Sequence, residues 1–472
     1  MKKPKIRTDC DDSPAQAANN LGHNRPDFSR VLVDKIEHVP PDLLKPAARR
    51  LRKHTKEKMA KLKASVANFG FVSPILIDET DTILAGHARW EAAKEMGLPR
   101  IPVIRVEHLN SDEKRVFAIA ENRLGELADW DNDVLAIEFQ ELLEIDFHFD
   151  LDVSGFDTPQ IDVIIADSDA ESGEPDPADV LPEVIGAPVT QPGDEWVVSR
   201  SRFICGDSLE KATYEKLLGD KKARAIVSDP PFNVKISGHV SGLGKAQHRE
   251  FAMAAGEMSK PQFTEFNQTW MSLAAGTAMP GALVYVYMDW RHTSELLAAA
   301  EGANLRAINM AVWDKMSGAM GSFYRSQHEL CWIYKIDDNP HVNNVELGRH
   351  GRYRTNCWKF RGMSSFGRGR DEALAAHPTV KPWAMIAEII KDCSNRGDII
   401  LDPFLGSGST LIAAEKTGRA CYGIEIDPRY CDVAVKRWEK MTCKQAIHAE
   451  SGKTFAEIAA ERLANSEEVR HV

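Results

Sequence analysis

The chain has 472 residues, 43% hydrophobic and 27% charged, with a formal net charge of −11, a balance that fits a globular protein of two or three domains. A surface acidic on average excludes indiscriminate nucleic-acid binding, so any contact with a polyanion must come from local basic stretches. No window reaches the roughly eighteen apolar residues of a membrane span, and the 8 cysteines form neither CxxC pairs nor Cys/His clusters at zinc spacing, so a cytoplasmic protein with no membrane contact and no metal is expected.

Residues 1–30 are polar and aperiodic and read as a flexible arm. Residues 31–152 read as a small α/β domain. Met59, Leu62 and Val66 have helical spacing and Gly70 stops them; "PILID" and "TILAG" flank a turn; "HARWEAAKEM" is a helix closed by Gly97; "IPVIRV" is a strand. A further helix starts near Ser111, a plausible N-cap. Residues 153–188 read as an acidic linker, because Asp167 to Glu183 holds seven acidic residues, three prolines and no basic one.

From residue 189 to 445, apolar strands such as "FICGD", "AIVSDPP", "ALVYVYMD" and "IILDPF" alternate with helical patterns. This predicts an α/β fold with a twisted, mostly parallel sheet, helices on both faces and ligands where strands end. Residues 446–472 read as a C-terminal tail.

In "IILDPFLGSGSTLIAAEKTGRACYGIEID" a strand turns through Gly406 and Gly408 into a helix, and a second strand ends at Glu425. Glycines let backbone approach a ligand, and an acid about twenty positions on can accept two ribose hydroxyls, which suits a nucleoside-containing cofactor. "GSGST" is not G-x-G-x-x-G, and no Lys follows as a triphosphate loop requires; a tight strand-to-helix turn is the other reading of the glycines alone.

The segment resembles the S-adenosylmethionine-binding motif of amino-directed DNA methyltransferases, with Asp402, Pro403, Phe404, Gly406 and Gly408 in its pattern. The resemblance implies a Rossmann-like methyltransferase whose loop, Ser407 included, wraps the methionine portion. Glu425 would hold the ribose, with Asp427 just beyond it, and Phe404 would line the pocket. In "HPTVKP" it places Thr379 and Lys381 beside the methionine carboxylate, a group that a helix N-terminus and a lysine suit. In "CGDSLE" it turns Asp207 toward adenine, against the plainer reading of a turn aspartate.

"SDPPFN" follows the apolar run Ala223 to Val227 and could be simply a stiff turn. The resemblance gives it chemistry. Exocyclic amino groups are poor nucleophiles because their lone pair is delocalised into the ring. Two acceptors, the Asp229 carboxylate and the Pro230 carbonyl, would hold both amino hydrogens. Pro231 stiffens the loop, and Phe232 would stack on a base flipped out of the duplex. The motif order is that of the β group of these enzymes, in which Tyr324, Arg325, His328 and Glu329 shape the target-base side; a buried polar network is the alternative. Residues 340–371 occupy the position of the target-recognition region. There Arg349, Arg352, Arg354, Lys359, Arg361, Arg368 and Arg370 interleave with Tyr353, Trp358 and Phe360, suited to phosphates and base edges.

"LAGHARWEAAKEMGLPRIPVI" resembles the N-terminal domain of ParB-type partition proteins and the sulfiredoxin fold, Gly86, Arg89, Trp90, Ala92 and Ala93 matching a "GERRWRAA"-like box. The resemblance implies a nucleotide-phosphate site, although His87, Ala88 and Glu91 depart from the box. The implied function is site-specific transfer of a methyl group from S-adenosylmethionine to adenine N6 in double-stranded DNA, with base flipping and a possible link to restriction-modification; Asp229 as first motif residue favours adenine. Alternatives are cytosine N4 methylation and a ParB-like DNA-binding protein with a non-catalytic methylase half. A homodimer and a nucleotide at the ParB-like domain complete the expected partners.

Overall fold

The computed structural model describes residues 35–49, 51–124, 127–128, 130–145, 151–169, 176–179, 181–182, 187–234, 254, 256–319, 323–345, 348, 352–361 and 380–470. The expected arm at 1–30 lies outside them. The chain divides into two compact units, the described parts of Met1–Asp131 with Phe147–Phe156, and of Asn132–Asp146 with Asp157–Val472.

The small unit contains β1 (Ile36–Val39), α1 (Lys56–Phe69), β2 (Ile75–Ile77), β3 (Ile83–Ala85), α2 (His87–Glu95), β4 (Ile101–Arg105) and α3 (Ser111–Leu124). Its sheet runs β1-β4-β2-β3. Ile75, Ile77, Ile83, Ile101 and Val103 alternate inward along the strands and close on Trp90 and Ala93 of α2. Helix α3 starts one residue earlier in its capping than the sequence predicts. Asn110, not Ser111, is the cap: its Oδ1 accepts the N–H groups of Asp112 and Glu113 at 3.0 Å, and Glu113 returns a bond to the Asn110 N–H at 2.8 Å.

The large unit begins with α4 (Asn132–Glu144) and α5 (Thr158–Asp169). It continues through β5 (Glu195–Val198), β6 (Ser201–Cys205), α6 (Lys211–Leu218), β7 (Ala223–Ser228), α7 (Lys260–Gly276), β8 (Ala278–Met288), α8 (Thr293–Gly302), β9 (Arg306–Ala319), β10 (Ser326–Lys335) and β11 (Cys357–Lys359). Then follow α9 (Trp383–Cys393), β12 (Ile399–Asp402), α10 (Ser409–Lys416), β13 (Ala420–Glu425), α11 (Pro428–Thr442), β14 (Ile447–His448) and α12 (Phe455–Arg470). The sheet order is β11-β9-β10-β8-β7-β12-β13-β6-β5-β14. Its centre, β8-β7-β12-β13-β6, is parallel, as the sequence predicts, and antiparallel strands extend both sides. Burial on both faces explains the continuous apolar runs: Phe263, Trp270 and Leu296 cover one region of the sheet, and Met385, Ile389 and Trp313 another.

Two expectations fail here. The span 153–188 is not simply an extended linker, since it holds α5 with Ile161 and Asp162 buried. Asp162 binds Arg396 at 2.6 Å and Arg419 at 2.9 Å, and Arg419 is itself fully enclosed. One acid of the span, Asp162, is therefore a buried counter-ion for Arg396 and for Arg419, the latter 257 positions away. Residues 446–472 are not a loose tail either. β14 pairs with β5, and Phe455 at the start of α12 packs on Trp196 with ring centroids 5.2 Å apart.

Asp162→Ala leaves two arginines without their buried partner and is expected to cost about 3–5 kcal/mol. A lowered urea midpoint for the full chain, with Asp162→Asn falling between, is the measurement.

Candidate active site

Strands β6, β7, β12 and β13 are parallel neighbours, so their carboxyl ends lie along one edge of the sheet. Past β6 comes Asp207, past β7 comes Asp229, Asp402 ends β12 and Glu425 ends β13. Residues scattered over more than two hundred positions are thus gathered where ligands bind in such sheets.

The Asp229 side chain is 24% exposed, and its Oδ2 accepts a hydrogen bond from Lys381 Nζ at 2.6 Å. The same ammonium lies 3.1 Å from Glu329, whose other oxygen is 2.5 Å from Lys315 Nζ. Rings enclose it: the centroids of Tyr287, Phe232 and Trp313 lie 5.0, 5.5 and 5.9 Å from Lys381 Nζ. Asp229 Oδ1 is buried with no partner among the described residues, as are Ser228 Oγ and Tyr287 Oη. Burial, and then the Glu329 charge, push the Asp229 carboxyl up, while Lys381 and Lys315 pull it down. Glu329 is held low by Lys381 and Lys315 in spite of its burial. Lys381 is pushed up to about 12, its two carboxylates overcoming desolvation.

This places Lys381 differently from the sequence expectation. Its ammonium is paired with Asp229 and Glu329, because the fold encloses it between the two carboxylates and the three rings. The backbone beyond Asp229 is pinned too. Asn233, at φ 54°, donates from its side chain to the Met258 carbonyl at 2.8 Å and accepts the Gly256 and Met258 N–H groups at 3.1 Å. Asn233 and Lys315 were not singled out in the sequence; Asn after the motif was a faint signal, since Asn tolerates the left-handed region.

At the glycine loop, Gly408 caps α10 at φ 81°, and a Cβ there would come within 3.1 Å of Ala434. Glu425 Oε2 accepts the Gly406 N–H at 2.7 Å and Oε1 accepts the Asp427 N–H at 2.8 Å. Burial pushes both Glu425 and Asp402 up to about 7, the backbone donors to Glu425 only partly offsetting it. Asp207 Oδ1 accepts the Leu209 N–H at 2.8 Å, so the turn role is real at one oxygen. Phe404 packs edge-on against Trp270 at 5.4 Å. From behind, the buried Arg437 donates to the Ser407 carbonyl and to Ser409 Oγ, both at 3.2 Å, and to the Ala178 carbonyl at 2.9 Å. Ser409 Oγ in turn donates to the Lys381 carbonyl at 2.8 Å, joining this loop to the Asp229 network.

The expected DNA-reading residues divide. Arg352 is 5% exposed at its side chain and paired with Asp392 at 2.6 Å and Glu388 at 3.0 Å. Arg354 meets Asp392 at 3.1 Å and lies over Trp358. Both tie β11's approach to α9, so their guanidinium groups are paired within the fold, where the sequence reading expected contacts with phosphates and base edges. Lys359 and Arg361 are exposed, as are Tyr324, Arg325 and His328. Thr379, Arg349, Arg368 and Arg370 lie outside the described residues.

Residues 223–436 match the DNA methylase family. This stretch is a DNA methylase domain. Ahead of the methylase, residues 29–123 match the ParB N-terminal domain, and residues 133–192 match the ParB-methyltransferase HTH domain, which falls on α4 and α5. The methylase is similar to the type II methyltransferase M2.DpnII of Streptococcus pneumoniae, 27% identical over 226 residues, 45% of this chain and 81% of that one. It is also similar to the type II methyltransferase M.ScaI of Streptomyces caespitosus, 26% identical over 261 residues, 50% of this chain and 80% of that one. Among solved structures, the cytosine-N4-specific PvuII DNA methyltransferase shares 15% identity and a TM-score of 0.42 over 57% of this chain and 94% of that one. No helix of the described residues is long and apolar enough to cross a membrane, and no cluster among them could hold a metal ion.

Glu425 yields a pH signature. With its carboxyl raised from an ordinary 4.5 to about 7, the folded chain binds more protons than the unfolded one between those values, so stability falls as pH rises through that window. Glu425→Gln lacks this loss and is expected to gain on the unaltered protein, by on the order of 2 kcal/mol between pH 4.5 and 7.5. Urea midpoints at the two pH values read it.

Proposed function

We propose that this protein is a site-specific DNA methyltransferase that methylates the exocyclic amino group of adenine, N6, in duplex DNA. The observation that carries this reading is the buried Oδ1 of Asp229, which has no partner among the described residues, while Lys381 holds the other oxygen. A buried acceptor without a donor is costly unless a ligand supplies one. An amino group entering here would donate to Oδ1, drawing its lone pair out of the ring and back onto nitrogen. Phe232 supplies an aromatic ring beside which a planar base can stack, and the Ser228 and Tyr287 hydroxyls, buried without a partner among the described residues, are further polar groups.

The edge beside Asp229 suits S-adenosylmethionine. Glu425 presents acceptors for ribose hydroxyls, the second Asp207 oxygen suits the adenine amino group, and the unblocked start of α10 suits a carboxylate. When bound, this cofactor supplies an electrophilic sulfonium methyl group. Lys359 and Arg361, with exposed Tyr353, are the described candidates for DNA contact, and α4 with α5 adds a helical element of HTH type. The Asp229 site suits the amino group of adenine or of cytosine alike; adenine is preferred because Asp stands first in the motif, and product analysis separates the two.

A nucleotide at the ParB-like unit is a secondary proposal. It rests on Gly86 at φ 98° opening α2 beside the half-buried Arg89, while His87 Nε2 already accepts the Ala47 N–H at 3.2 Å. Calorimetric titration with cytidine triphosphate tests it, and absence of heat removes it. A homodimer is tested by sedimentation of the full chain with and without duplex DNA.

Incubated with labelled cofactor and duplex DNA, the protein is expected to place label in N6-methyladenine, and Asp229→Ala to lower the rate at least roughly a hundredfold. Label in N4-methylcytosine instead would overturn the adenine assignment. Unchanged transfer by Asp229→Ala would overturn the role of Asp229.

A further inference from the structure

The Asp229 carboxylate is one end of a four-membered charged chain, Asp229–Lys381–Glu329–Lys315, with contacts of 2.6, 3.1 and 2.5 Å. The two ends of the chain reach toward solvent, Lys315 at 28% and Asp229 at 24% exposed, while the Lys381 side chain is 3% exposed. The members come from four places in the fold: the end of β7, the entry to α9, β10 and β9. An ammonium needs one carboxylate for neutrality; this one has two. A second buried carboxylate beside an acidic group that must stay ionised is unfavourable by itself, so its presence calls for a reason.

We propose that Glu329 is a positioning residue for methyl transfer, anchoring Lys381 with the help of Lys315 so that the ammonium holds Asp229 Oδ2 and leaves Oδ1 aimed at the incoming amino group. This rests on the reading of Asp229 given above and deepens it. Without Glu329, Lys381 is held by Asp229 and by its ring contacts alone, and the two-point hold that fixes the carboxylate's rotation is lost. The rings of Tyr287, Phe232 and Trp313 keep water from replacing either contact. Ser409 Oγ on the Lys381 carbonyl fixes the other end of the lysine to the glycine loop, so the orientation of Asp229 is referred to the wall of the cofactor site.

The arrangement predicts opposite electrostatic effects within one chain of contacts. The charged and titratable groups facing Asp229 are Lys381 ahead of α9, Glu329 and Cys331 on β10, Lys315 on β9, Tyr287 on β8 and Asp402 at the end of β12. Of these, Glu329 disfavours the ionised Asp229 and the two lysines favour it. Methyl transfer needs Asp229 ionised, so its rate falls as pH drops through the carboxyl's titration.

The test is the single-turnover rate of DNA methylation by the full chain against pH. Glu329→Gln is expected to lower the plateau rate at least roughly tenfold and to move the acidic limb to lower pH by roughly 1 unit. Lys381→Met and the more exposed Lys315→Met are expected to move it to higher pH, with Lys381→Arg restoring part of the plateau. Should Lys381→Met fail to fold, the opposed shifts of Glu329→Gln and Lys315→Met carry the test. Limbs that stay in place, or move in the same direction, overturn the proposal. So does a Lys381→Met effect confined to the KM for S-adenosylmethionine, which would return the lysine to the cofactor carboxylate. Absence of DNA methylation by the unaltered protein would instead remove the functional reading itself.

Discussion

Much of the candidate site depends on one buried ammonium. Lys381 has lost its water, and only two carboxylates and a surround of aromatic faces make that tolerable. Because each contact is short and dry, none can relax alone: moving Lys381 would leave Asp229 and Glu329 as like charges facing each other. The constraint runs outward through the Lys381 carbonyl to Ser409, through Ser409 and Ser407 to Arg437, and through Arg437 to the Ala178 carbonyl upstream of the sheet. The strand edge that carries Asp229 and the glycine loop are therefore joined by one run of hydrogen bonds.

The sheet makes such a network possible. Parallel strands all deliver their next residue to the same edge, so carboxylates at the ends of neighbouring strands come together without any local sequence relation. Desolvation then raises Asp229, Asp402 and Glu425 alike. Three acidic groups of raised affinity for protons at one edge, with an orphaned oxygen among them, form a surface made for donors such as amino and hydroxyl groups. The aromatic residues nearby suit a flat partner, and together these features narrow the ligand class more than any one motif does.

Much of this was legible beforehand, but unevenly. The α/β alternation, the glycine turn at Gly406 and Gly408, Glu425 and the Asp229 motif are local patterns, each written within a few residues, and the structure sets them at one edge. Lys381 was legible as important, but "HPTVKP" says nothing about which acids will face it, and folding pairs it with Asp229 and Glu329. The acidic span 153–188 and the arginines at 352 and 354 misled for a shared reason. Charge in a sequence reads as solvated until its counter-charge is known, and here the counter-charges, Arg396, Arg419, Asp392 and Glu388, lie far along the chain or on another element. The last helix escaped notice because, among its described side chains, only Phe455 and Ile458 are buried.

By itself the sequence determined the element types, the order of the chemical motifs and the residues able to accept hydrogen bonds from a base or a ribose, because these follow from periodicity, glycine and proline geometry and side-chain chemistry over short windows. Only the tertiary structure decided which charges face one another. That choice gave Lys381 to Asp229 and Glu329, closed Arg352 onto α9 and buried Asp162 against Arg396 and Arg419. The physical reason is that the strength of a charge pair depends on its distance and on the water removed from around it, and folding alone sets both.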